Sequence, residues 1–145
     1  MKQSTKQTLD TYNHLYNEST DVYNQLAKTV GVNTTIFWLF YEVYTNEEPL
    51  TQQDICNHLF MPKQTLNTAL KKYEQEGYLF LNTDSKRKTI HLKEKGKQFV
   101  QDKILPIYEA ELLALDTFTS EEQQQLIHLF KKYVQSLRKQ QEVLK

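Results

Sequence analysis

Cysteine occurs once in the 145 residues, at Cys56, so no intrachain disulfide framework can form and a reducing compartment suits the chain. Glycine is nearly as scarce: Gly31, Gly77 and Gly96 are too few and too scattered to build a phosphate-cradling loop. The three prolines are also dispersed, and no internal repeat or low-complexity linker is evident. The apolar stretch from Thr35 to Val43 falls far short of the roughly 20 residues that a membrane span needs. The opening Met-Lys-Gln-Ser-Thr-Lys-Gln-Thr has no hydrophobic segment and does not read as a signal peptide, so the expected location is cytoplasmic, with no membrane partner. Residues that carry chemistry are thin as well. Cys56-x-His58 is one short pair, His14, His91 and His128 are remote from it, and no acid–base or nucleophile cluster stands out. No metal, cofactor or enzymatic activity is expected.

What is present is charge, unevenly spread. The formal net charge is zero, yet residues 1–60 carry 3 Lys/Arg against 7 Asp/Glu, residues 61–103 carry 10 against 5, and residues 104–145 carry 5 against 6. A basic centre between acidic ends fits a chain that offers its middle to a polyanion. This length supports one compact core, so a single domain over 1–145 is expected.

Apolar spacing predicts a mainly α protein. Leu9, Tyr12, Leu15, Tyr16, Val22, Tyr23 and Leu26 recur at helical intervals up to Ala27, and Gly31 ends that helix. Asn33 or Thr34 caps a second helix through Tyr44, apolar on nearly every side and therefore central; a buried strand is the rival reading of this run. Thr51 with Asp54 has the form of a capping box for a helix over 52–59. Pro62 fits an early position of the next helix, Lys63 to Gln75, whose Leu66, Ala69, Leu70 and Tyr73 share one face. Gly77 closes that helix. Tyr78–Leu81 and Thr89–Leu92 then read as strands around the tip Asn82-Thr83-Asp84-Ser85-Lys86-Arg87-Lys88. Helical signal resumes near Lys93 and continues to about Leu115, with Pro106 expected to kink or divide it. Ser120 with Gln123 suggests a capping box for a last helix burying Leu126, Ile127, Leu129, Phe130, Tyr133, Val134 and Leu137.

Two helices, a glycine stop and a basic hairpin over 50–96 form a winged helix-turn-helix. Its second helix would enter a DNA major groove, showing Lys63, Gln64, Thr65, Asn67, Thr68, Lys71 and Lys72, while Lys86, Arg87 and Lys88 track backbone or minor groove. Gln64 and Asn67 suit adenine, and Thr65 or Thr68 a thymine methyl, which predicts an A·T-rich site; the same residues also suit a merely solvated helix face. Thr51 and Gln52 stand at a helix start that can bind phosphate, although Thr51 equally serves as a cap alone. The terminal segments 1–30 and 104–145 carry more apolar stripe than one small monomer buries. A homodimer that reads a near-palindrome is expected, with a closed monomeric bundle as the alternative.

Gly77-Tyr78-Leu79, Asp84-Ser85-Lys86 and Leu92-Lys93-Glu94-Lys95-Gly96, in this order of elements, resemble the multiple-antibiotic-resistance regulator (MarR) family over almost the whole chain. The resemblance implies a dimeric winged-helix transcription regulator, most often a repressor, released from DNA by a small phenolic or other aromatic ligand. In that family the wing reads Asp-x-Arg, then Leu-Thr-x-x-Gly. Here Asp84 fits the acid and is expected to pair with a basic side chain and support the wing. Lys86 stands in place of the arginine, with Arg87 beside it as a substitute, and Lys93 replaces a helix-capping threonine. The family's Ser-Thr-x-Thr-Arg is Gln64-Thr65-Leu66-Asn67-Thr68, with Thr68 at the arginine position. The effector pocket implied by the resemblance would draw on His14, Tyr16, Phe37, Trp38 and Tyr41, although aromatics at helical spacing are usually core. The thiol-sensing branch has its cysteine near the N-terminus, where this chain has none, and Cys56 reads as a small buried residue. The rival from another class is a protein-interaction module that reuses the winged helix without specific DNA binding.

Overall fold

The computed structural model describes residues 4–145, and these form two compact units, one ending at Ile107 and the other spanning Tyr108–Lys145. Residues 1–3, part of the N-terminal stretch discussed above, lie outside the described range.

The first unit opens with α1 (Thr5–Thr29), capped by Ser4, whose hydroxyl accepts from the Gln7 N–H while the Gln7 side chain accepts from the Ser4 N–H. Gly31, at φ +77°, ends it: the Gly31 N–H donates to Lys28 and the Val32 N–H to Ala27. These paired bonds satisfy carbonyls that the last helical turn leaves open. The residue after Asn33 starts α2 (Thr34–Thr45), with the Asn33 side chain accepting from the Ile36 N–H at 3.0 Å. Ile36, Phe37, Leu39 and Phe40 are all buried, so α2 is the central helix and the strand alternative fails.

The helix-turn-helix is α3 (Gln52–Leu59) and α4 (Lys63–Gln75). Pro62 stands just outside α4 as its N-terminal cap, in extended conformation at ψ 140°, and not in its first turn. Phe60, between the helices, takes the left-handed conformation at φ +51°. Gly77, at φ +84°, ends α4 in the same way that Gly31 ends α1, with Tyr78 N–H donating to Tyr73 at 2.9 Å. The wing sheet has three antiparallel strands in the order β1 (Leu50–Thr51), β3 (Thr89–Leu92), β2 (Leu79–Asn82). The two-residue β1 was not expected, and the hairpin's first strand begins one residue later than its sequence suggested, leaving Tyr78 outside. Tyr78 instead joins Phe40, Tyr73 and Phe99 in an aromatic cluster with ring centroids 4.5–6.3 Å apart.

The helix after the wing is divided, as Pro106 predicted, but the fault lies upstream. Between α5 (Glu94–Phe99) and α6 (Leu105–Asp116), residues Val100–Ile104 widen into a π-type turn in which Leu105 donates to Val100, five residues back. A regular α-turn would press the proline ring onto the carbonyl four residues earlier, and widening relieves this without a break. In the second unit, α7 (Ser120–Leu144) is capped by Thr119 with Glu122, one residue before the expected Ser120–Gln123 pair. Gln123 is engaged elsewhere, donating to the Leu115 carbonyl at 2.8 Å. No residue of α7 is buried within the chain, and Ile127 is 67% exposed. The stripe expected to be buried is not buried within its own unit. On α1, too, Leu9, Leu15, Tyr16 and Val22 are exposed. Among the described residues no helix is long and apolar enough to cross a membrane.

Candidate nucleic-acid interface

On α4 the apolar and polar faces separate cleanly. Leu66, Ala69 and Leu70 are buried, while Lys63, Gln64, Thr65, Thr68, Lys71 and Lys72 are exposed; Asn67, at the border, is half-buried. The Thr68 hydroxyl donates to the Gln64 carbonyl at 3.0 Å, so its proton is committed to the helix backbone. Among the described residues the Gln64 amide meets no side-chain partner and faces solvent.

At the start of α3, Thr51 and Asp54 form a reciprocal capping box: the Thr51 hydroxyl accepts from the Asp54 N–H at 3.1 Å, and the Asp54 carboxylate accepts from the Thr51 N–H at 2.9 Å. Asp54 does more than cap. Its carboxylate also receives the Arg87 guanidinium of the wing. The bond from the Thr51 backbone, aided by Arg87, holds the Asp54 carboxyl below the usual carboxylate range against the opposing effect of burial. Gln52 reaches weakly toward the Lys63 carbonyl at 3.5 Å.

The wing tip, residues 83–88, is exposed throughout. An Asn82 side chain accepts from the Asp84 N–H at 3.0 Å, and the Ser85 hydroxyl donates to the Arg87 carbonyl at 2.9 Å, two local bonds that shape the turn. Asp84 itself makes no ion pair among the described residues, and the carboxylate that meets a wing cation is that of Asp54. The reason is position: Asp84 sits at the solvent-facing tip, while Asp54 lies beside the strand that Arg87 enters. Lys86 and Lys88 make no ion pair among the described residues and face solvent. On the other flank, Lys95 donates to the Glu76 carbonyl at 2.9 Å and lies 4.3 Å from the Tyr78 ring centroid, joining α5 to the end of α4.

The proposed effector residues do not converge on one cavity. A cleft of about 470 Å³ is lined by Tyr16, Tyr23 and Trp38, with Ser19, Thr20, Asn24, Thr34 and Thr35 supplying polar groups and Met61 one wall. Phe37 is 1% exposed and packs behind Trp38, at 4.8 Å between centroids. Tyr41 meets Trp38 edge-on in the same ring cluster, at 5.1 Å between centroids, and does not line the cleft. His14 precedes Tyr16 by two residues, about 200° around a helix, and so faces away. The hydroxyl residues escaped the sequence reading, although Tyr16, Ser19, Thr20 and Tyr23 have the i, i+3, i+4, i+7 spacing of one helix face. Among the described residues no group of three or more His, Cys, Asp or Glu is placed to hold a metal ion.

A family model described as MarR family matches residues 30–88, from the end of α1 to the last lysine of the wing tip. Over these residues the chain is similar to the MarR family. MarR-family members are transcription regulators, not enzymes. An HTH-type transcriptional regulator of Bacillus cereus is 28% identical over 112 residues, which is 77% of this chain and 76% of the relative. A Bacillus anthracis protein of the same description is 25% identical over the same shares. The MarR winged-helix fold recurs in solved structures. A MarR family regulator from Neisseria meningitidis has a TM-score of 0.80 at 20% identity, covering 95% of this chain and 99% of that one. Staphylococcus aureus MepR in its DNA-binding conformation has a TM-score of 0.75 at 22% identity, covering 87% and 98%.

Proposed function

We propose that this chain is a MarR-family regulator, a homodimeric, sequence-specific DNA-binding repressor whose binding is relieved by a small aromatic molecule. The observation that carries DNA binding is α4: Leu66, Ala69 and Leu70 of its inner face are buried, and its outer face offers three lysines with hydrogen-bonding side chains between them. Lys63, Lys71 and Lys72 suit phosphates, Gln64 suits adenine, and the Thr65 and Thr68 methyl groups suit thymine, which keeps the A·T-rich expectation. Asn67, half-buried, contributes less. Thr51 serves α3 as its cap, so phosphate near Gln52 would meet backbone N–H groups. Staphylococcus aureus MepR, which shares the fold, has been crystallised as a DNA complex. A dimer supplies the covering that the α1 and α7 stripes lack and places two α4 helices on successive major grooves, roughly 34 Å apart. The cleft at Trp38 is the effector site we favour, since apolar walls with a few hydroxyls and a volume within the usual 300–1,000 Å³ suit a small aromatic. Ligand control then works by differential affinity for two dimer states.

Selection from a random duplex library tests this reading. A palindromic, A·T-rich consensus with binding that falls steeply between 50 and 200 mM salt is the expected result. No enriched sequence would return the chain to the interaction-module alternative.

A further inference from the structure

Arg87 lies in the basic tip and would ordinarily be counted with Lys86 and Lys88 as a DNA contact. Its surroundings say otherwise. The register of β1 on β3 sets Thr51 opposite Thr89. Asp54 is bound to the Thr51 N–H, so its carboxylate stands beside the chain just before Thr89, where Arg87 emerges. Two attachments thus join the wing to α3, one through backbone pairing and one through charge. Were Arg87 to leave for a phosphate or the minor groove, the Asp54 carboxylate would be left without a cation close to the polyanion, which opposes binding. Lys86 and Lys88 face no such conflict.

We propose that Asp54 is a positioning residue for DNA binding: it fixes the posture of the wing through Arg87, which acts as a brace, and the wing's phosphate contacts fall to Lys86 and Lys88. The proposal rests on the DNA-binding reading above, but the brace is also measurable without DNA.

The test compares full-length wild type with Asp54→Asn, Arg87→Gln, the double variant, Lys86→Gln and Asp54→Glu. Asparagine keeps an oxygen for the Thr51 N–H, so the α3 cap survives while the charge is lost. In the absence of DNA, limited trypsin cleavage after Lys86 and Lys88 should quicken roughly three- to tenfold in Asp54→Asn and in Arg87→Gln, to the same extent in the double variant, and little in Asp54→Glu. Unchanged cleavage in Asp54→Asn overturns the brace whatever happens with DNA. On the duplex selected by wild-type protein, Asp54→Asn and Arg87→Gln should weaken binding equally and non-additively without altering the salt slope, while Lys86→Gln should lower that slope by about one. An Arg87→Gln loss accompanied by a reduced slope, with Asp54→Asn neutral or tighter, would make Arg87 a DNA contact and overturn the proposal. Failure of wild type to select any duplex defeats the DNA reading alone, since the proteolysis result still decides whether the brace exists.

Discussion

A methyl group on Gly96 would stand 2.0 Å from the carbonyl oxygen of Tyr78, and that oxygen is itself fixed as acceptor of the Lys93 N–H at 3.0 Å. Neither atom belongs to a flexible side chain. Gly96→Ala should therefore cost about 3 kcal/mol or more, read as a loss of denaturant midpoint. Gly77 is different. Nothing lies within 4 Å of its added methyl, and only its φ of +84° resists a side chain, so Gly77→Ala should cost about 1–2 kcal/mol. If both variants cost the same, one of these two causes is wrong. Asp54 supplies a pH dependence at the same scale. Its folded carboxyl is held below the ordinary range, first by the Thr51 N–H and also by Arg87, so the ionised form stabilises the fold. That stabilisation is present above the unfolded carboxyl's range and is lost as pH falls from about 5 through the folded value. Chemical denaturation across this window should show a steeper acid loss in wild type than in Asp54→Asn; parallel curves would remove Asp54 from the linkage.

Among the elements, those written by local rules were legible in the sequence. The Thr51–Asp54 box, the α2 cap at Asn33 (one of two candidates with Thr34) and the Gly77 stop each need only neighbours within a few residues, and each stands where spacing allowed it. What was missed depended on distant partners or on a choice between equal local options. Arg87 finds Asp54 across 33 positions, and β1 is too short to show alternation of its own. Thr119–Glu122 and Ser120–Gln123 both have the box pattern; the second fails because Gln123 bonds to Leu115. The cleft at Trp38 was half legible: its aromatics are plain in the sequence, but only helix periodicity separates those that share its face from those that pack behind it. α5 retains a defect that the sequence did announce: Lys93 caps it with no side-chain bond. Lys93→Thr should add about 1 kcal/mol, measured as a raised thermal midpoint, with no gain expected from Lys93→Ala.

For the molecule as a whole, the uncovered stripe of α7 makes stability and assembly one question. Ile127 and Leu137 are exposed in the chain, so Ile127→Glu with Leu137→Glu should leave the monomer's own packing intact while shifting sedimentation from dimer to monomer. DNA affinity should fall with it, because each head alone makes too few phosphate contacts. A dimer that persists through both substitutions would place the interface elsewhere. Cys56 offers a way to follow such changes in time. It is the chain's only thiol and is 7% exposed among the core of α2, α3 and α4. A thiol reagent meets it slowly through the cleft beside Phe60 and Met61 and faster when the helix-turn-helix opens, so its labelling rate is a clock for that opening. Anything that binds the closed head slows the clock in proportion to its occupancy, and an unidentified effector can be sought by that delay alone.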